Sequence, residues 1–236
     1  MGSKNRIAKY ILPIILKDRK VGQWYVEPFA GGMNTIDKVD GNRIASDKNK
    51  YLIAMWKGLQ DGKDRPYTID RELYSRAREE YNNGTNIEFD NFMMGWIGWM
   101  ASYNGRFFDG GGYSGHSVGK NSRDYIGENI RNTEKQIPNI INVILKSEDY
   151  QDVELPNGSL IYCDIPYKDT KQYATSKDFC HDTFWQWCRD KHKDGHKIFI
   201  SEYNAPDDFK CVWEMQVTNS MHQTKTYKPT EKLFTL

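Results

Sequence analysis

Apolar residues fall at Ile7, Tyr10, Ile11, Ile14 and Ile15 within Lys4–Leu16, which is helical spacing. Pro13 interrupts that run and predicts a kink or an early end. The period then changes. Gln23–Phe29 reads as a strand, Ile36 onward as a helix, and Asn42–Asp47 as a second strand closing on an acid. Lys50–Leu59 returns to helical spacing, with Tyr51, Leu52 and Met55 on one face. Short apolar runs near 141–146, 159–163, 196–201, 211–217 and 232–236 follow helical stretches, which predicts a mostly parallel sheet covered on both faces. The last runs lie too close together for an intervening helix, so a terminal hairpin with an antiparallel member is expected.

Residues 57–136 break this alternation. The pattern predicts helices over 70–82 and 88–101, then the glycine-rich stretch Tyr103–Gly119, too long and irregular for a simple connector. Arg106, Phe107, Phe108 and Tyr113 set a cation and aromatic faces among glycines, a composition suited to backbone contact and base stacking. A surface loop with no partner is the plain alternative. Trp96 and Trp99, with Met93, Met94 and Met100, form an apolar patch expected to pack in the core.

Candidate chemistry sits at the strand ends. Ser159-Leu160-Ile161 leads into Tyr162-Cys163-Asp164-Ile165-Pro166-Tyr167, where a proline stops the strand beside an acid and an aromatic. Pro166 biases Ile165 toward extended backbone, so its carbonyl projects away from the strand. Strand-end acid, carbonyl and flat ring make a compact clamp for a planar amine. Upstream, Glu27–Asn34 places Gly31 and Gly32 between a strand and the expected helix. That turn permits backbone conformations and ligand approach that a side chain forbids, at the edge of an open α/β sheet where ligands bind. It is neither G-x-G-x-x-G nor a phosphate loop ending in Lys-Ser/Thr, which disfavours a nucleoside triphosphate. Asp47, at the end of the second strand, suits a ribose diol.

Composition narrows the class. The 236 residues can bury one core with room for a subdomain. The apolar share is 38%, mean hydropathy is −0.79, and no run approaches the ~20 apolar residues that cross a bilayer. Ile11–Leu16 is too short for a signal peptide, so a cytoplasmic protein is expected. The four cysteines form no C-x-x-C pair and fit free thiols. Cys163 alternates with Asp164 and is expected to face the buried side. Cys180, His181, Cys188 and His192 match no standard zinc spacing, and no metal is expected. Net charge is +1, and residues 57–136 hold eleven Lys/Arg against twelve Asp/Glu. Nucleic-acid binding would therefore rest on local clusters such as Arg106, Lys120 and Arg123.

Taken in order, Gly2-Ser3-Lys4, Glu27-Pro-Phe-Ala-Gly-Gly32, Asp47 and Asp164-Ile-Pro-Tyr167 resemble the Dam-like (D12 class) adenine-specific DNA methyltransferases, in their compact bacterial and phage forms. Ser147-Glu148-Asp149-Tyr150, Ile200–Asn204 and Thr230–Phe234 are similar too. Ile165 stands where that family usually has a proline, adding an N–H and freeing one dihedral. The resemblance implies a Rossmann-like S-adenosylmethionine-dependent methyltransferase sheet, α/β with a terminal antiparallel strand, plus a smaller, mainly helical inserted subdomain. Residues 1–56 and 137–236 would be catalytic, and 57–136 would recognise the target. Lys4, Glu27, Phe29, Gly31, Gly32, Asp47, Asp149, Tyr150 and Asp164 would hold the cofactor, S-adenosylmethionine. Asp164, Ile165, Pro166 and Tyr167 would act on a flipped adenine, and Asn104, Arg106, Lys120 and Arg123 would contact DNA.

The partner implied is double-stranded DNA, in a prokaryotic cell or phage-infected host, with neither membrane nor metal. GATC is the suggested target, and a cognate restriction endonuclease would be a functional counterpart, not a physical one. Methylation of the cytosine N4 amine, of RNA or of a protein glutamine remains open, as does a non-catalytic DNA-binding relative.

Overall fold

The computed structural model describes residues 4–109, 112–115, 123–168, 178–216 and 230–236. Its first helix, α1 (Asn5–Ile15), buries Ile7, Ala8, Ile11, Leu12 and Ile15 as the spacing predicts. It runs through Pro13 and ends two residues later, because in the last turn the missing N–H removes a single intrahelical bond.

Seven strands form one sheet: β1 (Tyr25–Glu27), β2 (Arg43–Ser46), β3 (Ile144–Lys146), β4 (Leu160–Asp164), β5 (Lys197–Glu202), β6 (Lys210–Gln216) and β7 (Thr230–Thr235). Their order is β3-β2-β1-β4-β5-β7-β6. β1 to β5 are parallel, while β7 slots between β5 and β6 antiparallel to both. This is the mostly parallel sheet with a terminal antiparallel member that the pattern predicts, in the Rossmann-like α/β form that the resemblance implies.

The sheet separates two cores according to side-chain alternation. Tyr25, Ala45, Leu160, Tyr162, Phe199 and Leu233 pack toward α1, α2 (Lys50–Gln60), α4 (Asn91–Ala101) and α5 (Tyr125–Ile140). Val26, Ile44, Ile161, Cys163, Ile165, Ile198 and Ile200 pack toward α6 (His181–Lys193), with Phe184, Trp185, Trp187 and Cys188. Cys163 thus lies on the face opposite Asp164, fully buried, as alternation predicts.

Three features depart from the pattern. The helix expected from Ile36 is only a 3-10 turn, Ile36–Lys38, since Val39 is extended and Gly41 turns the chain at φ 78° into β2. Helix α5 arises where no element was predicted, capped by Asp124, whose carboxylate accepts the Gly127 N–H at 2.8 Å. Phe107 and Phe108 offer no aromatic surface to a ligand: both are core residues, 5% and 2% exposed. They fold back onto α4, where Gly98 leaves room for their rings, and the Phe108 N–H is fixed by the Ser102 hydroxyl at 2.8 Å.

Helix α3 (Arg71–Asn83), capped by Asp70, packs beside α4. Helices α2 and α4 approach closely because Gly95 lies against the Tyr51 carbonyl oxygen and Gly58 against the Phe92 ring. Met94, Trp96 and Met100 are fully buried there, and Met93 and Trp99 pack against the same core, as expected of that apolar patch.

Candidate active site

The carboxyl ends of β1, β4 and β5 meet on the α1 face. Glu27 closes β1 and Asp164 closes β4, each sharing a side of its strand with the buried Tyr25 and Tyr162. The Tyr25 hydroxyl donates to Glu27 Oε1 at 2.8 Å, and the Tyr162 and Ser201 hydroxyls pair at 2.8 Å. Burial pushes the Glu27 carboxyl up to about 8, opposed by hydrogen bonds from Thr35 and Tyr25 and reinforced by Asp164. Near neutrality it is therefore mostly a neutral acid.

Lys4, at the start of α1, is 7% exposed and places its ammonium 3.0 Å from Asp164 Oδ1 and 3.6 Å from Glu231 Oε2. Burial works against that ammonium, yet Asp164 and Glu231 together hold its proton and raise it above the ordinary lysine value. Burial likewise pushes the Asp164 carboxyl upward, while Lys4 pulls it down. The side chain of Asp164 keeps 26% exposure, so it is the open part of this cluster.

The Pro166–Lys168 segment, with Tyr167 at its centre, is held from both sides of the sheet. Its hydroxyl donates to Glu231 Oε2 at 2.6 Å, Lys4 Nζ stands 4.6 Å from its ring centroid, and the Tyr203 ring meets it nearly perpendicular at 4.6 Å. On the α6 face, Glu202 is 2% exposed and accepts the Lys168 N–H at 3.1 Å and the Tyr203 N–H at 2.6 Å. His181, at the first turn of α6, sets Nε2 2.9 Å from the Pro166 carbonyl oxygen and 3.8 Å from Glu202 Oε2. Ile165 buries its side chain on the α6 face, and among the described residues none donates a hydrogen bond to its carbonyl oxygen.

The glycine turn lies beside this cluster. Gly31 has φ 45°, its N–H donates to Asp47 Oδ2 at 2.9 Å, and its carbonyl accepts Trp56 Nε1 at 3.0 Å. The Gly32 carbonyl accepts Gln136 Nε2 at 3.1 Å, and a Cβ on Gly32 would stand 2.7 Å from the Trp99 ring. Asp47 Oδ1 also takes the Asn49 N–H at 2.8 Å; burial pushes its carboxyl up while these two N–H groups pull it down. Asp149 pairs with Lys48 at 3.7 Å, at the end of β3. Phe29 stacks on Tyr150 at 5.2 Å, and Tyr150 is 6% exposed, edge-on to Phe184 and Trp187.

The structure thus gathers Lys4, Glu27 and Asp164–Tyr167 into one cluster and ties Gly31 to Asp47. Phe29 and Tyr150 pair with each other in the α6-side core. Asn104 lies in the 3-10 turn Tyr103–Gly105, Arg106 follows it half-buried, and the exposed Arg123 pairs with Glu128 through Nε at 2.7 Å and Nη2 at 2.8 Å. Lys120 lies outside the described residues. Sequence reasoning gave no site role to Glu231, Glu202, His181, Trp56 or Gln136. Each reaches the site from a distant element; Glu202 and Glu231 lay within segments similar to the family, Ile200–Asn204 and Thr230–Phe234, and the other three carried no signal.

A cleft of about 420 Å³ on α3, lined by Arg71, Arg78 and Tyr113 among others, shares none of these residues. Among the described residues no group of three or more His, Cys, Asp or Glu could hold a metal ion, and no helix is long and apolar enough to cross a membrane.

Residues 1–95 match the family model described as D12 class N6 adenine-specific DNA methyltransferase. The match takes in Lys4, the glycine turn and Asp47 and supports a methyltransferase; it ends before Asp164. Comparison with curated proteins gives no match. Among solved structures, the chain is similar to SMU.472 complexed with SAH, at 14% identity and TM-score 0.41 over 99% of this chain. It spans about half of that protein, 52%. It is also similar to the rRNA methyltransferase aviRa from Streptomyces viridochromogenes, at 10% identity and TM-score 0.43, over 99% of this chain and 85% of that one.

Proposed function

We propose that this chain is a DNA methyltransferase that moves a methyl group from S-adenosylmethionine to the N6 amine of adenine. The observation that carries the reading is the juxtaposition at one sheet edge of a partly open carboxylate, Asp164, and a carbonyl oxygen, Ile165, that no described residue engages. The family match over the first 95 residues supports the same class.

The donor set fits the cofactor. Asp47 presents a carboxylate to a ribose diol, with a second lone pair on each oxygen beyond the two N–H groups it accepts. Gly31 and Gly32 bring bare backbone to the edge of the sheet, and at Gly32 the Trp99 ring and the Asn34 amide fill the place a side chain would take. Lys4 offers a cation to the carboxylate end, the partly exposed Phe29 an apolar face, and Glu27, Asp149 and Tyr150 complete the edge. When bound, S-adenosylmethionine supplies a methyl group on a sulfonium, a good leaving group that needs no metal.

The chain's own residues do the rest. Asp164 and the Ile165 carbonyl each accept a hydrogen bond from the amine of an extruded adenine, which is unreachable inside the duplex. Acceptors outside the ring plane draw the amine toward a pyramidal nitrogen whose lone pair can attack the donor methyl as its bond to sulfur breaks, and the Asp164 carboxylate would take the proton the methylated amine then sheds. Orientation of this kind supplies up to roughly 7–11 kcal/mol in well-positioned systems. Pro166 holds the extended path that presents the carbonyl. Tyr167 offers its ring, and because Lys4 lies over that ring, a stacked base takes the place of the ammonium. Residues 57–136 are assigned to target recognition, with Asn104, Arg106, Lys120 and Arg123 toward DNA, and residues 1–56 and 137–236 to catalysis.

The test is incubation with methyl-labelled S-adenosylmethionine and unmethylated, PCR-amplified duplex DNA, followed by nucleoside mass spectrometry. N6-methyladenine is expected. Label in cytosine, or in RNA or protein supplied instead, would move the activity to another amine. DNA retention without any transfer would leave a binding module.

A further inference from the structure

We infer that Glu231 is a positioning residue for this transfer, one carboxylate anchoring both the Tyr167 ring and the Lys4–Asp164 pair. The inference rests on the methyltransferase reading above. Its basis is the direction of β7. Parallel strands deliver their last residues to the ligand edge of the sheet; an antiparallel strand delivers its first. Glu202, at the end of β5, is registered with Lys232, so Glu231 arrives just beyond that edge. Alternation puts Glu231 on the side of Leu233, which is buried in the α1-side core, and therefore on the side of Asp164 and α1.

Two contacts converge on this position, and a third extends them to Asp164. Glu231 Oε2 accepts the Tyr167 hydroxyl at 2.6 Å and lies 3.6 Å from Lys4 Nζ, which in turn lies 3.0 Å from Asp164 Oδ1. Lys4 also stands over the ring that Glu231 holds. Three separate elements, the start of α1, the segment after β4 and the start of β7, are thereby fixed relative to one another. The side chain of Glu231 is itself only 14% exposed, so removing its charge alters a poorly solvated cluster. When a base replaces Lys4 over the ring, the hydroxyl tie still holds the ring in place. Glu231 touches neither reacting atom; it acts through Tyr167 and Lys4.

The experiment compares wild type, Glu231→Ala, Glu231→Gln, Tyr167→Phe and the Glu231→Ala/Tyr167→Phe pair. Each is assayed with unmethylated PCR-amplified duplex DNA and labelled S-adenosylmethionine, beside thermal unfolding of each protein. Glu231→Ala should lower kcat by about tenfold to a hundredfold, as misplacement of about 1 Å does, with KM for the methyl donor within about twofold. Glu231→Gln keeps an oxygen for the tyrosine hydroxyl and should return to within about fivefold of wild type. In the Tyr167→Phe background, Glu231→Ala should cost no more than about threefold further, because coupled residues are not additive. Wild-type kcat in Glu231→Ala overturns the assignment. So does full additivity with Tyr167→Phe, or a loss that tracks the unfolding midpoint and is not restored by Gln. A wild-type protein that transfers no methyl to DNA instead overturns the functional reading, and the positioning role falls with it.

Discussion

The two ends of the candidate pocket are made of different materials. At the glycine turn, side-chain hydrogen bonds tie down backbone: the neutral Trp56 and Gln136 donate to the Gly31 and Gly32 carbonyls, and the Asp47 carboxyl accepts the Gly31 N–H. Around Asp164–Tyr167 the ties involve charged groups: Lys4 with Asp164 and Glu231 on one face, and on the other the Glu202 carboxyl, which accepts the Lys168 and Tyr203 N–H groups. A turn fixed by hydrogen bonds to its backbone offers shape, which is what a bound cofactor needs. A segment fixed by buried charges offers a local field, sensitive to any loss of charge. Alterations to the turn should therefore act on binding, and alterations to the segment on turnover.

That division is tested first by Asp164→Ala. Removing the partly open carboxylate should lower turnover by about a thousandfold, in the range seen when one preorganised polar group is lost. Binding of S-adenosylmethionine by calorimetry should stay within about twofold. Equal losses in binding and turnover would erase the distinction.

Glu27 stands between the two ends and should show itself in stability. Its carboxyl rises from 4.5 to about 8 in the folded protein, so the folded state holds the proton more tightly. The stabilisation is full below the unfolded value and is lost as pH climbs through about 8, a decline of roughly 3–5 kcal/mol at most. Glu27→Gln, which mimics the neutral acid, should flatten the decline between pH 5 and 9 in denaturant titrations. Parallel curves for the two proteins would contradict the assignment.

At the turn, Gly32→Ala puts a Cβ 2.7 Å from the Trp99 ring and from Asn34 Nδ2. Overpacking of this kind typically costs about 1–3 kcal/mol of folding stability; a turn shifted to relieve it should bind cofactor about tenfold more weakly, with kcat at saturation changed less than about threefold. The smallest effect is expected from His181→Ala, which removes one of the supports on the Pro166–Lys168 segment. We expect kcat about fivefold lower with cofactor affinity unchanged, since a single lost hydrogen bond is worth about 0.5–1.5 kcal/mol.

Much of this was legible in the chain because it is local. Gly31-Gly32, Asp47 and Asp164–Tyr167 are short motifs placed at strand ends, and alternation alone put Cys163 opposite Asp164. The closely spaced last strands announced a hairpin, but not that β7 would carry Glu231 to the edge, which depends on pairing across the sheet. Helix α5 was readable and passed over: Ile126, Ile130, Ile137 and Ile140 lie near helical spacing behind Asp124. Phe107 and Phe108 misled because neighbouring glycines suggested an open loop. Whether aromatic rings face solvent depends on a partner surface, here the one left open by Gly98 on a preceding helix.

The most direct measurement is a crystal structure with S-adenosylhomocysteine bound. The account predicts the ligand between the Gly31–Gly32 backbone and the Asp164 carboxylate, with its ribose on Asp47. A ligand seated elsewhere on the molecule, with Asp164 remote from its sulfur, would contradict it.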